Sequence, residues 1–309
     1  MIKVIGVPRT YLYFKLAELF RLLAALVLTR LDWKRIADKY ETKLSEIIGS
    51  RNFIPTNSAS SALNILLTAL NLPPGSEIIM GPITVQSFIE IIAAHKLKIV
   101  FADINPKNYL IDPAEITKKI TAKTKAILIT PLFGWYGKQV EEIKLIANKH
   151  NILLIEDCAH TFGGSYKGIS AGYFGDFGIY SFGPVKFPTG ISSGALLFSD
   201  ANWKPRFIEI LESLDKPRRL RIILETLRYF TLKLLLSKYI FAVFTINCIK
   251  LLNLNISLYL KHILGKKQHI AQSSGSQLFL FDNISQVKEK APPIFEQPNA
   301  PQMNMLLSQ

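Results

Sequence analysis

Between residues 52 and 200 the chain alternates short, almost wholly apolar runs with stretches of helical periodicity, and this alternation restricts the fold more than any other feature. The runs "SEIIMG" (76–81), "LKIVFADI" (97–104), "KAILITPLF" (125–133), "ILLIED" (152–157), "FGIYSF" (177–182) and "GALLFS" (194–199) have the length and composition of buried strands. Helices fit between most of them. "SASSALNILLTALNL" sets Leu63, Leu66, Leu67 and Leu70 on one face, and "QVEEIKLIANKH" does the same with Val140, Ile143, Ile146 and Ala147. "DPAEITKKI" opens with Asp112 as a cap and Pro113 at the first helical position. Strand and helix in turn give an α/β fold with a mostly parallel sheet, whose ligands collect beyond the carboxyl ends of the strands.

That rule singles out the residues that follow each run. Asp157 closes an otherwise apolar strand, where a carboxylate is costly unless it caps a nearby helix or meets a cation such as Arg, a metal or a protonated ring nitrogen. His160 follows three residues later, in a place that suits either a hydrogen-bonded loop histidine or a ligand contact. Ser181 ends the next run, and Lys186 lies five residues beyond it, between Pro184 and Pro188, in a segment with no other formal charge. An amine in such a setting is either a stray surface charge at a strand end or a group kept partly desolvated so that it can react. Ahead of the first helix, Ser58, Ser60 and Ser61 crowd a helix start; this is an ordinary serine cap or an anion site suited to phosphate. A phosphate cradle, a carboxylate for a ring nitrogen and an amine able to form an imine are together the requirements of pyridoxal phosphate.

The ordered pieces "NSASSALNILLTALNL", "PPGSEIIMGPIT", "VFADINPKNYLIDPAEI", "TKAILITPLFG", "IEDCAHTFGGSYKGISAGYFGDFGIYSFGPVK" and "SGALLFSD" resemble the DegT/DnrJ/StrS family of pyridoxal-phosphate-dependent sugar aminotransferases. The resemblance implies a three-layer large domain of the aspartate-aminotransferase type (fold type I). It casts Lys186 as the Schiff-base lysine and proton carrier, and Asp157 as the partner of the pyridinium nitrogen. Ser181, with Ser58 and Ala59, becomes the phosphate cradle, and His160 contacts the cofactor's phenolic oxygen. It further implies a nucleotide-sugar substrate, an amino donor such as glutamate, a role in polysaccharide or glycoconjugate synthesis, and a homodimer with its cleft between subunits. Relatives that dehydrate sugars instead replace the lysine, which is present here. Two departures stand out. "GPITVQSF" has Val85 and Gln86 where many members place a ring-stacking aromatic, so that stacking is lost or moved to Phe88. "FPTGISSGALL" replaces a glycine-rich, glutamate-containing run after the lysine.

With 309 residues, 49% of them hydrophobic, the chain exceeds one compact domain. The expected division is an N-terminal helical segment (1–50), the cofactor-binding large domain (51–200), a basic apolar helical segment (201–270) and the start of an incomplete C-terminal small domain (271–309). Residues 1–33 have no small-residue cleavage site, and Lys15, Glu18 and Arg21 interrupt their apolar positions, so they read as an amphipathic helix. Charge is concentrated: residues 201–270 hold 13 Lys/Arg against 4 Asp/Glu, or +9 of the formal +14. Basic residues interleaved with long apolar runs argue against nucleic acid and for either peripheral membrane contact or helices packed on the body or a second subunit. Lys233, Lys238 and Lys250 break the run from 229 to 260 before it reaches the roughly 18–20 charge-free residues of a spanning helix. Cys158 and Cys248 match no metal-ligand spacing and suit a reducing compartment, so a cytoplasmic protein, in contact with the inner face of the membrane if the basic segment binds lipid, is expected. The alternative function is a non-catalytic or cofactor-binding membrane-associated subunit of a glycan-synthesis system.

Overall fold

The computed structural model describes residues 12, 15–28, 33–50, 52–134, 136–183, 186, 188–214 and 219–241. The expected small-domain start at 271–309 and the second half of the basic segment, 242–270, lie outside the described residues. A seven-stranded sheet organises the rest. Its strands are β1 (Phe53–Thr56), β2 (Glu77–Met80), β3 (Lys98–Phe101), β4 (Thr124–Ile129), β5 (Leu153–Asp157), β8 (Phe177–Ser181) and β9 (Gly194–Phe198), in spatial order β1-β9-β8-β5-β4-β2-β3. A separate two-stranded hairpin joins β6 (Ser165–Tyr166) to β7 (Ile169–Ser170). The pairings among β3, β2, β4, β5 and β8 are parallel, whereas β9 runs antiparallel to both β8 and β1. The sheet is therefore mixed with a parallel majority, as an α/β fold requires.

Two helical layers cover it. One face packs on α2 (Trp33–Ile48), α5 (Pro113–Lys119) and α6 (Lys138–Lys149) through Tyr40, Leu44, Ile116, Val140 and Ile143. The other packs on α3 (Ala59–Leu70), α4 (Gln86–Ala94) and α7 (Lys204–Ser213) through Leu63, Leu66, Phe88, Ile91 and Phe207. Strand residues divide between these two cores with period 2. Leu154 and Cys158 belong to the α6 side, and Ile155, Phe177 and Ile179 to the α3 side.

Local sequence explains the element ends. Ser58 caps α3, its Oγ accepting from the Ser61 N–H at 3.1 Å, and Asp112 caps α5 through the Ala114 N–H at 2.8 Å with Pro113 in the first turn. The apolar run 125–133 is shorter as a strand than its sequence suggests. β4 ends at Ile129, and beyond Pro131 the chain makes a short 3₁₀ turn, Leu132–Gly134, because proline donates no ladder hydrogen bond. The run 97–104 likewise contracts to Lys98–Phe101, with Ile104 pairing Ile111 in an isolated bridge.

The amphipathic N-terminal helix expected from the sequence is α1 (Leu16–Leu28), which packs against α8 (Arg219–Leu235). Leu12, Leu19, Tyr229, Leu232, Leu236 and Phe241 form their shared core together with Ile191, which lies in the loop ahead of β9. Arg219 Nε donates to the Leu26 carbonyl and Lys233 Nζ to the Leu12 carbonyl, so opposite ends of the pair are tied and the helices run antiparallel. No helix among the described residues is long and apolar enough to cross a membrane.

Candidate active site

Parallel strands β4, β5 and β8 end at one edge of the sheet, and at that edge the period of 2 decides which side chains meet. Asp157 pairs in register with Ile179, which places it on the α3 face, and Ser181, two residues beyond Ile179, lies on the same face. Thr130 follows β4 in the equivalent position. β1 runs parallel to these strands and ends at the same edge, delivering Asn57 and Ser58 to the start of α3. The approach of α3 to the sheet is close because Gly194 has no side chain. A Cβ there would lie 2.6 Å from the Tyr180 carbonyl oxygen, 2.8 Å from the Ser58 carbonyl carbon and 3.0 Å from the Ala59 nitrogen.

The result is a cavity of about 360 Å³. All six residues singled out in the sequence line it: Ser58, Ala59, Asp157, His160, Ser181 and Lys186. Further polar groups, among them Thr84, Ser87, Thr130 and Ser192, join them. Sequence reading passed over these: Thr130 sits inside the apolar run 125–133, and it becomes a strand-end residue level with Asp157 only because β4 stops at Ile129.

Asp157 is 4% exposed. Burial raises its carboxyl pKa to about 6, against the Ala159 N–H, which donates to Oδ1 at 3.2 Å, and the attraction of Lys186. Lys186 shows the complementary shift: burial lowers the amine's pKa, and Asp157 partly restores it. Each charge therefore lies close enough to act on the other. The loop carrying Lys186 is closed by backbone geometry. The Gly183 carbonyl accepts from the Lys186 N–H at 3.0 Å and from Thr189 Oγ1 at 3.1 Å, and the Gly190 N–H donates to the Phe182 carbonyl at 2.7 Å. Pro188 is buried beneath it, while Pro184, Val185 and Phe187 lie outside the described residues. His160 is exposed at the cavity rim; partial burial of its ring and the charge of Lys186 lower its pKa.

At the helix start, Ser58 Oγ also donates to Ser61 Oγ at 3.2 Å, and Ser60 Oγ donates to Ser87 Oγ at 2.9 Å, so the openings of α3 and α4 are joined. Free N–H groups of a first helical turn favour an anion. Thr84 Oγ1, also in the cavity lining, is buried with no hydrogen-bond partner among the described residues, as expected of a donor that awaits a ligand. Val85, at the N-cap of α4, is 53% exposed and lines the cavity. Phe88 also lines the cavity but is 1% exposed and committed to the core.

The second acid of "IED" does something different. Glu156 lies on the opposite face, fully buried, where Oε1 accepts from the Gly175 N–H at 2.7 Å and Oε2 from Tyr136 Oη at 2.7 Å and the Gly172 N–H at 3.1 Å. Burial pushes its pKa up and these bonds pull it back. It clamps the 171–175 loop beneath β5. Glu156→Gln is expected to lose about 3 kcal/mol of stability, since the amide NH₂ must face one of three donors; chemical denaturation measures this, and a loss below about 0.5 kcal/mol would refute the clamp.

A model of the DegT/DnrJ/EryC1/StrS aminotransferase family matches residues 26–215, well over half of the chain. The protein belongs to this family. Family members are pyridoxal-phosphate-dependent, and the donor set of the cavity suits that cofactor. The lipopolysaccharide biosynthesis protein RfbH of Salmonella typhimurium is 36% identical over 187 residues, covering 57% of this chain and 41% of that protein. The UDP-2-acetamido-2-deoxy-3-oxo-D-glucuronate aminotransferase of Pseudomonas aeruginosa is 35% identical over 162 residues, covering 52% of this chain and 45% of that enzyme. The chain thus spans less than half the length of either. Among solved structures, an aminotransferase from Psychrobacter cryohalolentis superimposes with a TM-score of 0.59 at 26% identity, over 68% of this chain and 53% of that one. The fold is that of the type I pyridoxal-phosphate enzymes.

Proposed function

We propose that the protein binds pyridoxal 5′-phosphate in this cavity and uses it to transfer an amino group, from glutamate, to a keto sugar carried on a nucleotide, for polysaccharide or glycoconjugate synthesis. The observation that supports this reading best is the convergence of Asp157, Lys186 and the α3 start in one cavity. The likeness to aminotransferases over residues 26–215 agrees with it.

In this reading Ser58, Ala59 and Ser181 hold the phosphate, with the first-turn N–H groups of α3 supplying positive potential. When bound, the cofactor supplies an electron sink at its protonated ring. Asp157 keeps the proton on the ring nitrogen, and a cation there repays the cost of burying the carboxylate, which then stays ionised. His160, at the rim, would contact the phenolic oxygen. Lys186 Nζ takes and returns the proton at the carbon that carries the amino group, a task for which its lowered pKa enlarges the neutral fraction. Val85, rather than an exposed aromatic residue, would be the side chain available to the ring. A cytoplasmic homodimer completes the proposal.

Borohydride treatment of the full chain loaded with pyridoxal phosphate, followed by peptide mapping, should place the label on Lys186. Incubation with glutamate and a panel of keto-sugar nucleotides should then yield an amino sugar. Label elsewhere, or none, overturns the cofactor site; label without transfer to any acceptor leaves a cofactor-binding subunit and overturns the enzyme reading.

A further inference from the structure

The helix α8 is apolar on two opposite faces. Ile222, Thr226, Tyr229 and Leu232 are buried. On the far side Leu220, Leu224 and Leu227 are 66%, 57% and 44% exposed, and their spacing of four and three residues makes them one stripe. A helix apolar all round is normally covered. Beside the stripe lies a shallow groove of about 330 Å³ lined by Leu220, Arg221, Leu224, Glu225 and Arg228. One guanidinium nitrogen of Arg228 is buried with no hydrogen-bond partner among the described residues. The partner helix α1 adds exposed Phe20, Val27 and Leu28.

Charge selects the occupant. Along α8 four cations, Arg219, Arg221, Arg228 and Lys233, face a single acid, Glu225. A second copy laid against the stripe would bring cations against cations. The segment that follows α8 is no better, since it carries Lys250, Lys261, Lys266 and Lys267, and the sequence has no Asp or Glu between Glu225 and Asp282. An apolar stripe flanked by arginines, on a helix that cannot span a bilayer, fits a surface that is both greasy and negative.

We propose that the outward face of α8 docks on an anionic lipid bilayer, with Leu220, Leu224 and Leu227 entering the headgroup–acyl boundary and Arg221 and Arg228 meeting lipid phosphates. Leu220, Leu224 and Leu227 do not line the active-site cavity; the inner face of α8 does pack on Ile191, which lines it, so lipid binding and the cofactor band are read separately in the test.

Sedimentation of the full chain with vesicles of phosphatidylcholine alone or with 30% phosphatidylglycerol, a mixture of roughly one anionic lipid in three, tests this. The protein should pellet with the anionic vesicles at low salt and be released as salt rises. The variant Leu220→Ser/Leu224→Ser/Leu227→Ser should partition at least about tenfold less while retaining the pyridoxal-phosphate absorbance band and the circular dichroism of the parent. Recovery of the parent in the supernatant at low salt overturns the proposal. So does equal pelleting of the triple variant, which would assign binding to another segment, and so does loss of a lipid-free dimer in that variant, which would make the face an interface between copies. Specific capture of an acidic protein at this stripe with no vesicle binding also overturns it.

Discussion

Replacing Lys186 by alanine is expected to lower the rate of amino transfer by at least about 10³-fold, the scale of a lost proton carrier together with a lost covalent anchor. Lys186 is the cationic side chain that lines the cavity next to Asp157, and the coupling of their two pKa shifts places them within electrostatic reach. The fold should tolerate the change, because the loop is closed through the backbone N–H of residue 186 and through Thr189 and Gly190, none of which needs the amine. A second sign accompanies the loss of activity. Without the positive charge, the His160 pKa should rise, since Lys186 is one of the two causes that lower it. Steady-state kinetics with glutamate, and titration of His160 by NMR, measure the two effects. A variant within tenfold of the parent rate would rule out Lys186 as the proton carrier.

Asp157→Asn is expected to act in opposite directions on stability and on cofactor binding. Burial raises the carboxyl pKa of the cofactor-free protein to about 6 from its ordinary 3.8, so between these values the native state holds a proton that the unfolded chain releases. A group raised in this way contributes stability that is fully present below the unfolded value and is lost as pH rises through the folded one, here from about pH 4 to about pH 6. The shift corresponds to about 3 kcal/mol. Asparagine, which is neutral throughout, should therefore stabilise the cofactor-free protein by up to about 3 kcal/mol above pH 7 and have little effect near pH 4. The same change should weaken pyridoxal-phosphate binding by about 10–100-fold, because a neutral amide cannot hold the ring proton with a charge-assisted hydrogen bond. Denaturation of parent and variant at several pH values, with binding followed by absorbance, checks both directions. If the variant is destabilised at pH 7.5, the carboxylate is not the strained group described here.

Much of the scaffold is legible in the sequence. The six apolar runs named from the sequence all became strands, and the caps at Ser58 and Asp112 stand where hydroxyl and carboxylate side chains can take first-turn N–H groups. What escaped had weak local signals. β1 is four residues long and contains Pro55, which argues against a strand; it is tolerated because β1 lies at the edge of the sheet and pairs on one side. α4 begins after Val85 without a side-chain cap, so nothing in the sequence marks its start. The hairpin of β6 and β7 has two residues in each strand, too few for any periodicity.

The neighbours Glu156 and Asp157 show where sequence reading ends. That both are acids at the end of a buried strand is written in "ILLIED", and so is the fact that adjacent strand residues point to opposite faces. Which face receives α3 and which receives α6 and Tyr136 depends on how helices distant in the chain bury their apolar stripes. Those contacts make Asp157 a cavity group and Glu156 a loop clamp. The pairing of α1 with α8 is of the same kind, since helices some two hundred residues apart are joined through Leu19, Tyr229 and Leu232. The chain by itself determined strand positions, helix caps and which side chains can bear chemistry, because these follow from periodicity and near-neighbour hydrogen bonds. Tertiary structure decided which of those side chains face one another, because burial is settled between segments that carry no local record of their partners.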